Sequence, residues 1–216
     1  MSDTKDIKIM ENIMDKNDSI ALNTQVSLKS KGIFCINVMG APGAGKTTTL
    51  TALAKRLNRP VTVIEGDIES DIDTCALNSL GVPTVQINTH GACHLEATSI
   101  ADSINGISDL KPGYLFIENI GNLVCPAEFN IGEHMKLLIV SATDGSDKPY
   151  KYPLAFEKAD LILVNKYDLA ALVDFDEEYF LKGIRHLQPD AKVMMVSAKK
   201  GDGMDEVAKW LENLAF

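Results

Sequence analysis

The sequence predicts an α/β protein, a three-layer fold with a mostly parallel central sheet and helices on both faces. Two observations carry that expectation. Short apolar runs alternate along the chain with stretches of helical character, the signature of βαβ units. The chain has 216 residues, 45% of them hydrophobic, which suits one good-sized domain with a large core.

The elements follow in order. Residues 1–30 are polar, with Ile7, Met10, Ile13 and Met14 at helical spacing, and read as an N-terminal helical segment. Residues 31–216 read as one further domain. Within it, 33–38 is an apolar run followed by a glycine-rich turn, and 47–57 reads as a helix. A second run spans 61–65. Helices are expected over 71–80 and 94–104, with an apolar run at 82–87 between them. Further runs lie at 114–117, 136–140, 161–164 and 192–196, and the last helices at 175–187 and 204–214. In such folds ligands bind beyond the carboxyl ends of the strands, so the residues just after each run are where chemistry is sought.

Composition narrows the function. The formal net charge is −9, and an acidic chain repels nucleic-acid phosphates. No secretory signal, anchoring motif or run of about 18 apolar residues is present, so neither a nucleic-acid nor a membrane partner is expected, and the cytosol is the expected location. There the four cysteines, Cys35, Cys75, Cys93 and Cys125, stay reduced and serve as core residues or as ligands.

The first turn is Gly40-Ala-Pro-Gly43-Ala44-Gly45-Lys46-Thr47, a complete G-x-x-x-x-G-K-T with Thr48 following. Its glycines let backbone N–H groups point at phosphate oxygens, Lys46 reaches the β- and γ-phosphates, and the Thr47 hydroxyl can ligate Mg²⁺. This is the mark of a P-loop NTPase. After 161–164 comes Asn165-Lys166-Tyr167-Asp168, an N-K-x-D tetrad. A carboxylate at Asp168 can accept from both the N1–H and the amine of guanine, whereas adenine presents a lone pair there. Lys166 can lay its stem over the base, and Asn165 can bond the guanine O6 or tie down the P-loop. Ser197-Ala198-Lys199 follows another run and resembles the S-A-K element of GTPases. The three motifs in this order favour GTP over ATP.

Two acids are candidates for Mg²⁺. Asp67 follows the run at 61–65 after Gly66, and Glu118 opens Glu118-Asn-Ile-Gly121. Many GTPases have D-x-x-G at the second place; here it is E-x-x-G, with no glutamine after the glycine. Glu118 can contact Mg²⁺ or align the attacking water while Gly121 faces the γ-phosphate, and the missing glutamine suggests slow intrinsic turnover. Asp71 and Asp73 read as solvated or capping residues.

Thiolate and imidazole donors suited to Zn²⁺, Ni²⁺ or Cu⁺ occur at Cys93-His94 and at Cys125. Cys35 and Cys75 read as core residues. Cys125 follows the element that senses the γ-phosphate, so a ligand there couples metal affinity to nucleotide state. Two chains could supply Cys93, His94 and Cys125 twice at a two-fold interface. His90, His134 and His186 read as structural or surface residues, with His90 close to the cysteine cluster.

From residue 30 onward the segments G-A-P-G-A-G-K-T, G-A-C-H-L-E-A, I-E-N-I-G-N-L-V-C-P-A and N-K-Y-D-L resemble the HypB family of hydrogenase maturation GTPases. The resemblance implies a SIMIBI-type GTPase that dimerises with GTP and holds Ni²⁺ or Zn²⁺ between protomers through Cys93, His94 and Cys125. It implies partnership with a HypA-type metallochaperone and with the large subunit of nickel-iron hydrogenase, and it makes Lys148 a candidate for a nucleotide contact across the dimer. Two departures matter. No Cys or His precedes Cys35, so the N-terminal C-x-x-C-G-C or His-rich nickel site of many bacterial relatives is not expected here. The C-P-H motif of the related urease GTPase is Cys125-Pro126-Ala127 here, which favours hydrogenase over urease. A small-molecule phosphotransferase and a non-catalytic protein with structural zinc are the competing readings.

Overall fold

A computed structural model describes residues 3–66, 77–89 and 91–214. Helix α1 (Asp3–Ser30) leads into strand β1 (Ile33–Gly40), and the chain continues through α2 (Lys46–Ala54), β2 (Val61–Glu65) and β3 (Thr84–Gln86). Then come α3 (Ala97–Gly106), β4 (Gly113–Glu118), the one-turn α4 (Cys125–Glu128), β5 (Met135–Ser141), α5 (Lys148–Lys151) and α6 (Pro153–Lys158). Strand β6 (Leu161–Asn165), α7 (Glu177–Leu187), β7 (Lys192–Met195) and α8 (Met204–Leu214) complete it.

Among the described residues seven strands form one sheet in the order β3-β2-β4-β1-β5-β6-β7, and every pairing between them is parallel. The expected mostly parallel sheet is therefore parallel throughout. Side chains alternate across it. On β1, Ile36 and Val38 join Leu50 and Leu53 of α2 and Val207 and Leu211 of α8 on one face. On the other face, Cys35 packs with Leu28 of α1 and Ile100 of α3. Further along that face, Leu138 and Val140 of β5 pack with Phe156 of α6 and Phe180 of α7. Both faces are covered, which is why the strands are largely apolar, with Asn37 of β1 and Lys136 of β5 among the polar exceptions. Phe116 of β4 is fully buried, a burial that contributes about 1.5–3 kcal/mol.

Strand β1 lies between β4 and β5, with Ile36 opposite both Phe116 and Met135. The carboxyl ends of the central strands therefore meet along one edge, where Glu65 pairs with Glu118 and Ser141 with Asn165.

Helix α3 starts three residues later than the hydrophobic pattern suggests. Glu96 is extended, and the Leu95 and Ala97 N–H groups donate to Asn119 Oδ1 at 3.3 Å and to Asn17 Oδ1 of α1 at 3.0 Å. Cys93 and His94 thus sit in a loop rather than in a helix. The short helices α4, α5 and α6 each carry proline in their first turn; they are too brief for a 3.6-residue period to register.

The cysteine and histidine assigned to packing behave so. Cys35 is buried, and burial raises its pKa well above the ordinary thiol value. His134 Nδ1 accepts from Cys35 N at 2.9 Å, its Nε2 lies 3.1 Å from Gln25 O, and its ring stacks on Phe34. An accepting Nδ1 fixes a neutral ring with the proton on Nε2, and burial lowers its pKa accordingly.

Candidate functional site

The turn between β1 and α2 is shaped by its glycines. Gly45 has φ +92°, a left-handed conformation that costs a side chain strain, and a Cβ there would lie 2.4 Å from Asn165 Nδ2. Lys46 and Thr49 are buried at the start of α2, Thr47 is half-buried and Thr48 exposed. The Thr47 hydroxyl donates to Glu118 Oε1 at 3.0 Å.

Asn165, at the end of β6 and 2% exposed, joins two loops. Its Nδ2 donates to Ala44 O at 2.9 Å, and its Oδ1 accepts from Ala198 N at 3.0 Å. The P-loop and the Ser197–Lys199 turn are thereby locked to one buried amide. Lys166, at φ 55°, sends Nζ to Gly43 O at 2.7 Å. Asp168 sits under the same turn. The Ser197 hydroxyl and then the Lys200 ammonium, 3.1 Å from Asp168 Oδ2, hold its carboxyl below the usual carboxylate range. Lys199 and Lys200 are both exposed, and Lys200 makes that contact.

Glu118 ends β4 beside Glu65 of β2 in register, and both are buried, 6% and 4% exposed. Two acids side by side at the strand ends offer hard oxygen donors to a divalent cation. Gly121 lies flat on the P-loop: a Cβ would come within 2.9 Å of Pro42 Cγ and 3.2 Å of the Pro42 backbone. Asn122 pairs with Gly40 in an isolated antiparallel bridge.

Cys93, His94 and Cys125 converge. Their ligand atoms all lie within 4.8 Å of one another, and Cys93 Sγ is 3.3 Å from His94 Nδ1. Cys93 is exposed, and His94 and Cys125 are half-buried. The His94 ring stacks on Phe129 at 4.0 Å between centroids. The Cys125 thiol beside it, with some burial, raises the Cys93 pKa. Two soft sulfurs and an imidazole on an open surface suit Ni²⁺ or Zn²⁺ and leave further coordination positions free.

Asp67, Asp71, Asp73, Cys75 and His90 lie outside the described residues, as does most of the helix expected over 71–80. Lys148 begins α5, with its ammonium 5.5 Å above the Tyr152 ring. Several polar residues here had no motif to announce them. Glu65 reads as a strand end, although a charge closing an apolar run is itself a signal. Asn37, Glu133 and Lys136 form a buried chain behind the site: Asn119 Nδ2 donates to Asn37 Oδ1, Asn37 Nδ2 to Glu133 Oε1, and Lys136 Nζ pairs with that oxygen at 2.8 Å.

Comparison with known proteins gives a consistent result. Residues 34–195 match the family model described as CobW/HypB/UreG, nucleotide-binding domain. The chain is 44% identical over 214 residues to the hydrogenase maturation factor HypB of Azotobacter vinelandii, covering 98% of this chain and 71% of that one. It is 39% identical to the HypB of Escherichia coli strain K12, over 98% and 74%. The crystal structure of HypB from Helicobacter pylori in complex with nickel superposes with a TM-score of 0.87 at 33% identity, covering 92% of this chain and 94% of that one. HypB from Archaeoglobus fulgidus gives 0.86 at 32%, covering 94% and 100%.

Proposed function

The chain belongs to the HypB branch of the CobW/HypB/UreG family of P-loop nucleotide-binding proteins, and on that premise we propose that it is a GTP-hydrolysing metallochaperone assisting nickel insertion into nickel-iron hydrogenase. One observation carries the reading: three soft donors meet within 4.8 Å at the end of the same chain element whose Gly121 rests on the P-loop.

Residues 31–216 act as the GTPase domain and 1–30 as an appended helical segment. Gly40, Gly43, Ala44, Gly45 and Thr48 cradle the phosphates through backbone and hydroxyl groups, and Lys46 neutralises the β- and γ-oxygens. Asp168 accepts from the guanine N1–H and amine, Lys166 covers the base, and Ser197, Ala198 and Lys199 line its O6 edge. Thr47, Glu118 and Asp67 are the residues that would hold Mg²⁺; the Thr47–Glu118 pair and the neighbouring Glu65 are hard oxygen donors of the right kind. When bound, Mg²⁺ neutralises phosphate charge. Glu118 also aligns the attacking water, and Gly121 meets the γ-phosphate. No glutamine follows Gly121, so intrinsic hydrolysis is slow.

Nickel is the cargo, with Zn²⁺ competing for the same donors. Three donors per chain leave the site open, and a second copy brought face to face by GTP supplies three more, with Lys148 reaching toward the partner's nucleotide. A HypA-type metallochaperone and the hydrogenase large subunit are the protein partners, and the cytosol is the place of action. No described helix is long and apolar enough to cross a membrane.

The test is a nickel titration of metal-free protein with GDP and then with a non-hydrolysable GTP analogue, with mass followed by light scattering. The expected result is a change in nickel affinity or stoichiometry when GTP drives dimerisation, lost in Cys125→Ala. Identical binding in both states would leave a nucleotide-binding protein without a metal switch.

A further inference from the structure

Two asparagines flank the turn in Glu118-Asn119-Ile-Gly-Asn122. Asn119 is 1% exposed. Its Nδ2 donates to Asn37 Oδ1 at 3.1 Å, and its Oδ1 accepts from Ile120 N at 2.9 Å and Leu95 N at 3.3 Å. Leu95 directly follows His94. Asn122 Nδ2 donates to Cys93 O at 3.2 Å, and its Oδ1 accepts from Val124 N, the residue before Cys125, at 2.9 Å. The backbone of Asn122 also bridges to Gly40, where the P-loop begins.

The Cys93–Leu95 segment is therefore stapled at both ends to one short element. Gly121 lies between the two staples, in contact with Pro42 of the P-loop. Asn119 cannot swing away alone, because the buried Asn37–Glu133–Lys136 chain holds its amide from behind. A shift of this element at the γ-phosphate must then carry Cys93 and His94 along with Cys125. Chain connectivity alone would move only Cys125.

We propose that Asn119 and Asn122 are positioning residues that transmit nucleotide state from the Glu118–Gly121 element to the Cys93–His94 half of the metal site. This rests on the reading that nickel binding is linked to GTP, and it adds the route. Coupling between two such sites is ordinarily 5- to 150-fold in affinity, about tenfold as a working figure.

The test uses Asn122→Ala and Asn122→Asp, at a half-buried position where folding is less at risk than at Asn119. Asn122→Asp keeps the acceptor for Val124 N and replaces the donor to Cys93 O by a carboxylate oxygen, whose added charge acts on nickel in both nucleotide states and so leaves their ratio as the readout. Nickel dissociation constants are measured by competition with a chromophoric chelator, in GDP and in a non-hydrolysable GTP analogue. Wild type is expected to differ about tenfold between the two states. Both variants are expected to bring that ratio within about twofold of one. A purely structural role would weaken nickel binding equally in both states and preserve the ratio, which would overturn the proposal. A wild-type ratio of one would sink the GTP-linked reading and this route with it. A tenfold wild-type ratio kept by both variants would remove the route alone.

Discussion

Replacing Asn165 by alanine takes one amide out of the junction between the P-loop and the Ser197–Lys199 turn. The side chain is 2% exposed and makes bonds of 2.9 Å to Ala44 O and 3.0 Å to Ala198 N. Alanine leaves a carbonyl and an N–H without those partners in a buried place, at about 1–2 kcal/mol each, or about 3 kcal/mol together. For a domain of this size, about 2–4 °C of melting temperature accompanies each kcal/mol, so Tm should fall by about 6–12 °C. Guanine-nucleotide affinity should fall by about tenfold or more, since the phosphate and base loops lose their shared anchor. Circular dichroism melts and titration with a fluorescent GDP analogue measure the two effects. Asn165→Asp separates the two bonds: it keeps an acceptor for Ala198 N and places a carboxylate oxygen against Ala44 O. A Tm for Asn165→Ala within about 2 °C of wild type would refute the claim that this amide holds the two loops together.

Three further outcomes follow from the same geometry. Gly45→Ala combines a left-handed φ of +92° with a Cβ 2.4 Å from Asn165 Nδ2, and strain of about 3 kcal/mol at the cradle should weaken nucleotide binding about a hundredfold by calorimetry. The carboxyl of Asp168 is depressed by Ser197 and Lys200, so it stays ionised, and competent to accept from guanine, until the pH falls through that lowered value. Lys200→Ala should therefore move its titration upward, as read by carboxyl carbon NMR of the nucleotide-free protein; an unmoved midpoint would show that Lys200 does not set it. Glu133→Ala takes from Lys136 Nζ the carboxylate 2.8 Å away, leaving it Phe129 O at 2.7 Å, and removes the acceptor of Ile131 N. The expected loss is about 3 kcal/mol by calorimetric unfolding, with Glu133→Gln milder.

Some of this was legible in the sequence, and the boundary has a physical reason. The P-loop and the N-K-x-D tetrad are local: a few consecutive residues shape the cradle and place Asp168, so spacing alone announces them. The parallel sheet was legible because strands covered on both faces leave continuous apolar runs, as in residues 161–164. The convergence of Cys93, His94 and Cys125 is not local, and resemblance to HypB supplied it before the fold did. The late start of α3 escaped because the side chains that set it, Asn119 and Asn17, are remote in sequence. The buried chain through Asn37, Glu133 and Lys136 escaped for the same reason, its members lying 96 positions apart at the widest hydrogen bond. Lys200 escaped because it stands one residue beyond the S-A-K element, yet it is the lysine that reaches Asp168.

The central claim is that one element senses the nucleotide and shapes the nickel site. Linkage makes that claim reciprocal: whatever factor GTP imposes on nickel affinity, nickel must impose on GTP affinity. The most direct measurement is the dissociation constant of a non-hydrolysable GTP analogue for metal-free protein and for protein saturated with nickel, in the same buffer with Mg²⁺ throughout. The account predicts a difference of at least about fivefold, equal to the factor found in the nickel titration. Equal constants with and without nickel would contradict it.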